Sequence, residues 1–184
     1  MRTAAPEVLP AFALWLTGLP ASGKSAIARA LLDELQARGV SPAVLESDAL
    51  RALLTPRPRY DEAERDLFYE SMAQLGSFLV GRGVPVVFDA TANRRAYRAR
   101  ARASIGRFAE VFVDCPLAVC EARDPKGLYR KARQGGSSSL PGAQVVYEPP
   151  EKPDLVVHGD TTAPADAARA IVALLERRGW LKPL

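Results

Sequence analysis

The stretch Gly18-Leu19-Pro20-Ala21-Ser22-Gly23-Lys24-Ser25 constrains this chain more than any other. It fits the pattern G-x-x-x-x-G-K-[ST], in which glycines let the backbone curl until several N–H groups point at one anion. Gly18, Ala21, Ser22, Gly23, Lys24 and Ser25 are therefore the residues expected to hold nucleotide phosphate. Lys24 would follow the charge of the terminal phosphates during transfer, and Ser25 would offer a hydroxyl to Mg²⁺. Such a cradle needs a strand before it and a helix after it. Phe12 to Leu16 is a short apolar run fit for a buried strand, and Ile27, Leu31, Leu32 and Leu35 recur at helical spacing just beyond. A chance glycine turn would require neither flank.

The rest of the chain repeats the alternation of strand and helix. Gly39 should close the first helix, and Ala43-Val44-Leu45 begins a second strand that runs into Glu46-Ser47-Asp48. Ligands of open α/β sheets bind at the carboxyl ends of strands, so Glu46 and Asp48 can face the phosphates, with Arg51 one turn further on. The alternative is that the two carboxylates cap the helix starting near Ala49. Thr55-Pro56-Arg57-Pro58-Arg59 can hardly be helix and reads as a mobile flap. A long helix from about Asp61 to Val80 follows, with Leu67, Leu75, Phe78 and Leu79 expected on its apolar side. Val84 to Phe88 forms a third strand ending at Asp89, which either serves Mg²⁺ through water or caps the next helix. Arginines crowd residues 94 to 102, several of them expected to be merely solvated, and Ala109 to Val113 makes a fourth strand.

Residues 121 to 133 then gather five basic side chains beside two acidic ones, ahead of the flexible Gly135-Gly136-Ser137-Ser138-Ser139. A basic, hinged segment of this kind, about residues 123–147, reads as a mobile lid that closes over nucleotide and excludes water. Leu155-Val156-Val157 supplies a fifth strand, and a final helix runs from about Pro164 to Arg178. The expected architecture is α/β, a three-layer parallel sheet of the P-loop NTPase type in one domain spanning residues 1–184.

Composition removes other classes. No apolar run approaches the ~20 residues that cross a bilayer, and Met1 to Pro10 carries no basic-then-apolar signal. A soluble, cytoplasmic protein is expected. Cys115 and Cys120 have no histidine or further cysteine near them in sequence and read as buried small hydrophobes rather than a metal site or a disulfide. The net charge of +4 suits a phosphate- or sulfate-bearing partner. With few aromatic residues, mostly at core-like positions, the chain has no stacking platform for nucleic acid. His158 lies away from every motif and reads as structural.

Phe112-Val113-Asp114-Cys115-Pro116-Leu117, and Cys120 through Arg133 (CEARDPKGLYRKAR), strongly resemble the adenylylsulfate kinases, as do GLPASGKS and the later Gly142…Tyr147-Glu148-Pro149-Pro150. Members of that family use MgATP to phosphorylate the 3′-hydroxyl of adenosine 5′-phosphosulfate (APS). The resemblance implies ATP and Mg²⁺ as cofactors, Lys24 and Asp48 in catalysis, and Arg123 and Arg133 on the nucleotide. It further implies Glu46, Arg51, Arg65, Lys126, Leu128 and Leu140 on the acceptor, Ser25 and Asp89 for the metal, and a homodimer.

The departures from the family pattern lie on the acceptor side. Glu46-Ser47-Asp48-Ala49 stands where the family has Asp-Gly-Asp-Asn, which makes Asp48 the first choice for the acid acting on substrate. Phe68 and Ser71 fall where asparagine and arginine are expected. Leu140 and Pro141 fall on the phenylalanine and threonine that cover the substrate's adenine, Gln144 on an aspartate, and Ala92 on a serine that some members phosphorylate. These changes keep open a P-loop kinase for another small-molecule or nucleic-acid hydroxyl, and, more remotely, a nucleotide sensor without turnover.

Overall fold

The computed structural model describes residues 11–55, 57–59, 61–135 and 140–183. Met1 to Pro10, Pro56 of the flap, and residues 136–139 of the glycine-serine stretch lie outside the described residues.

Five strands form one parallel sheet in the order β2-β3-β1-β4-β5: β1 (Ala13–Thr17), β2 (Ala43–Glu46), β3 (Val86–Asp89), β4 (Phe108–Asp114) and β5 (Leu155–His158). The central strand is buried along its whole length, which is why its sequence is continuously apolar rather than alternating. Its side chains still point alternately to the two faces and so build two cores. Leu14 and Leu16 pack with Ile27, Leu31 and Leu35 of α1 (Lys24–Gln36) and with Ile171 and Leu175 of α7 (Pro164–Arg177). Ala13 and Trp15 join Phe68, Tyr69 and Met72 of α3 (Glu62–Gly81) and Tyr97 and Ala101 of α4 (Arg95–Ser104). Helix layers on both faces give the expected three-layer architecture. Trp15 stacks on Phe88, ring centroids 4.4 Å apart, and its indole N–H donates to the carbonyl of Ala90, so a large apolar ring is buried with its polar atom satisfied.

One expectation is corrected here. The buried stripe of α3 is Phe68, Tyr69, Met72, Ala73 and Gly76, whereas Leu67 and Phe78 are exposed. At 100° per residue those two sit nearly opposite the stripe, with only Leu75 and Leu79 at its margin. Several arginines of residues 94–102 are solvent-exposed, as expected, while Arg98 is 1% exposed and held by Glu110 of β4 at 2.5 Å. No helix among the described residues is long and apolar enough to cross a membrane.

Candidate active site

β1 ends in Thr17, and the chain then turns through Gly18 so tightly that a Cβ there would lie 2.5 Å from the carbonyl oxygen of Val113 and 2.8 Å from Ser22 Oγ. Gly23 follows with φ 107°, a left-handed conformation that glycine adopts without penalty, and caps α1. The turn therefore opens at a helix N-terminus, where unpaired N–H groups attract anions. Lys24 is buried, and its ammonium donates to the carbonyls of Gly18 (3.1 Å) and Leu19 (2.8 Å). Burial pushes its pKa down from 10.5 to about 8, against the opposing pull of Asp89, Cys120 and Asp48. Ser22 Oγ is buried and has no hydrogen-bond partner among the described residues. Its backbone carbonyl meets the loop after β5 so closely that a Cβ on Gly159 would be 2.0 Å away.

The acids gather at adjoining strand ends as expected. Glu46 and Asp89 are register partners on β2 and β3, and Asp89 also neighbours Leu16 on β1. Asp89 is 5% exposed, and among the described residues no hydrogen bond or ion pair closes on its carboxylate. It precedes α4 by several residues and caps nothing, since Arg94 holds the N-cap position. Asp48 lies in the first turn of α2 (Ser47–Leu54), which Glu46 precedes as N-cap without a side-chain bond. Instead of capping, Asp48 meets the Lys126 ammonium at 2.5 Å, with Glu46 at 3.9 Å from the same nitrogen. That contact with Asp48 raises the Lys126 pKa.

Arg51 and Arg65 stand on the same side. The Arg51 guanidinium lies 4.0 Å over the Phe68 ring and 3.2 Å from Glu64, and Arg65 reaches Asn93 Oδ1 at 3.4 Å. Burial raises the pKa of the Tyr69 phenol, which lies within the field of Arg51, Arg65 and Asp48. Phe68 is 2% exposed and supports Arg51 from below.

The segment expected as a lid, about residues 123–147, contains α6 (Leu128–Arg133) and follows α5 (Leu117–Arg123). Asp124 between them accepts the N–H groups of Tyr129 and Arg130, which starts α6. The Tyr129 hydroxyl donates to the carbonyl of Pro20 and so ties the lid to the phosphate loop. Arg123 donates to the Gly159 carbonyl at 2.8 Å, and Arg133 pairs with Glu121. Leu128 stays partly open to solvent. Leu140, expected as a cover over the acceptor, is 8% exposed and packs with Cys115, Cys120, Tyr129 and Ala132 against Leu19 and Ala21. Its side chain is thus part of the small apolar cluster beneath the lid. Both cysteines are free and buried, and burial first of all pushes the Cys120 thiol up to about 12.

Sequence reasoning passed over several residues of the site. Tyr147 hydroxyl and Thr17 Oγ1 are 3.0 Å apart, and the threonine donates onward to the carbonyl of Thr91. Asn93 and Arg98 hold the loop after β3 against residues 146–148. The only signal was the string Tyr147-Glu148-Pro149-Pro150, which carried no role. His158 is also nearer the site than expected. Its imidazole is 3.8 Å from Asp114, and the next residue abuts Ser22.

A parallel sheet whose middle strand feeds a glycine turn and a buried lysine, with carboxylates at the neighbouring strand ends and Lys126 upon them, defines a P-loop phosphotransferase. Residues 10–158 match the model of the adenylylsulphate kinase family. The adenylyl-sulfate kinase of Klebsiella pneumoniae is 42% identical over 149 residues, 80% of this chain and 74% of the relative. That of Rippkaea orientalis is 38% identical over 172 residues, 93% and 95% of the two chains. The structure of the Mycobacterium tuberculosis APS kinase CysC in complex with AMPPNP and APS superposes with a TM-score of 0.84 at 34% identity, covering 91% of this chain and 98% of that one. The chain belongs to the adenylylsulphate kinase family.

Proposed function

We propose that this protein transfers the γ-phosphoryl group of ATP to the 3′-hydroxyl of APS, giving 3′-phosphoadenosine 5′-phosphosulfate and ADP. The observation that carries the reading is the Asp48–Lys126 contact, which stands with Arg51 and Arg65 where an anionic acceptor would lie, while Lys24 serves the phosphates. Phosphoryl transfer asks for little covalent chemistry from the protein, only placement and neutralisation of charge. The loop N–H groups and Lys24 hold the donor phosphates, with Arg123 and Arg133 drawn onto the nucleotide from their present partners. Arg51, Arg65, Lys126, Glu46 and Leu128 frame the acceptor, and Asp48 orients its hydroxyl and accepts the proton. Leu140 contributes from within the lid.

The cradle fits Mg²⁺. Ser25 is exposed at the first turn of α1 and Asp89 is a buried carboxylate with no hydrogen bond or ion pair among the described residues, so both are hard oxygen donors of the kind that Mg²⁺ takes alongside substrate phosphates. When bound, the ion neutralises charge on the transferring group. The reading extends to a single domain in the cytoplasm, acting on small molecules, and to a homodimer on the family resemblance alone. A second reading, a different hydroxyl as acceptor, is favoured by Arg51 being occupied by Glu64 and Phe68. Coupled ADP release with APS against a panel of alcohols separates the two. Clear activity on another alcohol with none on APS sinks the first.

A further inference from the structure

Residues 146–148 form the trailing end of the lid and lie against the loop after β3 and the end of β1. Five side chains hold this strap and the loop after β3 in place. Asn93 Nδ2 donates to the carbonyl of Val146 at 3.0 Å, while the Glu148 N–H donates to the carbonyl of Asn93 at 2.8 Å. Glu148 in turn receives the Arg95 N–H through its carboxylate. The Tyr69 hydroxyl accepts from the N–H of Ala92, and Tyr147 reaches Thr17. Arg98 sits at the centre. Its Nε meets Glu110, one terminal nitrogen donates to the carbonyl of Ala92, and the other donates to the carbonyl of Glu148 at 2.7 Å.

The loop held in this way is strained. Ala92 has φ 42°, which a residue with a Cβ adopts only when its surroundings over-determine it. Both polar backbone atoms of Ala92 are in fact clamped by side chains, the N–H by Tyr69 and the carbonyl by Arg98. A guanidinium suits this task because its planar fork presents donors in several fixed directions. Burying it beside a carboxylate for stability alone would be a poor bargain, since buried ion pairs seldom repay their desolvation. What the arrangement does provide is a single rigid joint between the trailing end of the lid and the loop that faces Arg65.

We propose that Arg98 is a positioning residue for phosphoryl transfer, anchoring the lid's trailing strap to the acceptor-side loop so that lid closure and acceptor placement occur as one event. The proposal rests on the phosphotransferase reading above. Without the anchor the lid still closes over ATP, but the acceptor hydroxyl and water compete for the γ-phosphoryl group. Transfer to water forms the bond from water oxygen to phosphorus, breaks the bond to the β-bridging oxygen, and releases ADP, phosphate and a proton.

The test is the Arg98→Lys variant, which keeps a charge for Glu110 but cannot reach both carbonyls. At a temperature below its melting transition, ATP affinity should stay within about twofold while kcat for APS falls about ten- to a hundredfold, the loss that a misplacement of about 1 Å brings. ADP released per acceptor phosphorylated should rise above one to one. The neutral pair Arg98→Met with Glu110→Gln should uncouple in the same way. A folded lysine variant with unchanged kcat and one-to-one stoichiometry overturns the proposal. Hydrogen exchange on the wild-type protein gives a reading free of any folding defect and of the acceptor's identity. The amides of Ala92 and Glu148 should exchange slowly with or without ATP, while those of α6 slow only when ATP is bound. Strap amides as fast as those of α6 in the free protein also overturn it. Wild type that turns over no APS but keeps this exchange pattern fails the activity reading and not the anchor.

Discussion

Lys24 makes a quantitative prediction. In the free protein burial holds its pKa at about 8 instead of 10.5, a cost to the charged form of about 3 kcal/mol at 1.36 kcal/mol per pH unit. The sign follows from the depression. The ammonium burdens the folded state at every pH below about 8, and that burden fades as the pH rises toward 10.5. Bound triphosphate supplies the negative charge that the site lacks and returns the lysine to its protonated form. ATP should therefore bind with uptake of about half a proton at pH 8, about a tenth at pH 7 and about nine tenths at pH 9, and its Kd should weaken about tenfold between pH 7 and 9. Titration calorimetry in buffers of different ionisation enthalpy measures the uptake directly. ATP cannot supply the signal itself, because a phosphate with a second pKa near ~6 is already deprotonated at pH 8. A Kd flat across this range with no buffer dependence, or the same uptake in Lys24→Met, would falsify the reasoning.

Three further outcomes follow from the geometry. Asp48→Asn keeps the size of the side chain but cannot accept a proton, so kcat should fall about 10²- to 10⁴-fold with KM for ATP within about twofold; equal losses in both would make Asp48 a nucleotide group. Gly18→Ala places a Cβ 2.5 Å from the Val113 carbonyl oxygen, and calorimetric titration should show no ATP binding in protein that still melts cooperatively. Leu140→Phe overfills the cluster beneath the lid, so thermal melting should show about 1–3 kcal/mol of destabilisation, with no gain in affinity for APS in steady-state kinetics.

The phosphate loop, the five strands and their parallel order of layers were legible because each depends on residues close in sequence. What failed depends on partners far away. Leu67 and Phe78 look as apolar as Met72, but the phase of α3 is set by Phe88 and Tyr97 on elements not yet reached by the chain. Arg98 is one arginine in a crowd, and only Glu110, across a helix and a turn, singles it out. Counting along the lid places Leu140 opposite the acceptor, yet the direction of its side chain is decided by Tyr129 and Cys120. Asp48 was legible as a site residue and illegible as the partner of Lys126, a contact spanning 78 positions.

The close approach of Gly159 to the Ser22 carbonyl has a consequence for synthesis. The glycine turn leaves the ribosome well before its wall, which is completed by a loop some 135 positions later, and β1 is flanked on one side by β4, itself made long afterwards. A nascent chain stopped before β5 would carry the whole motif in its sequence and still lack the surface that holds Ser22 in place. Pairings of such separation form late and slowly, because loop closure must precede any gain from contact. Competence to hold nucleotide is thus acquired only after the loop following β5 has been made, although the residues responsible were made long before it.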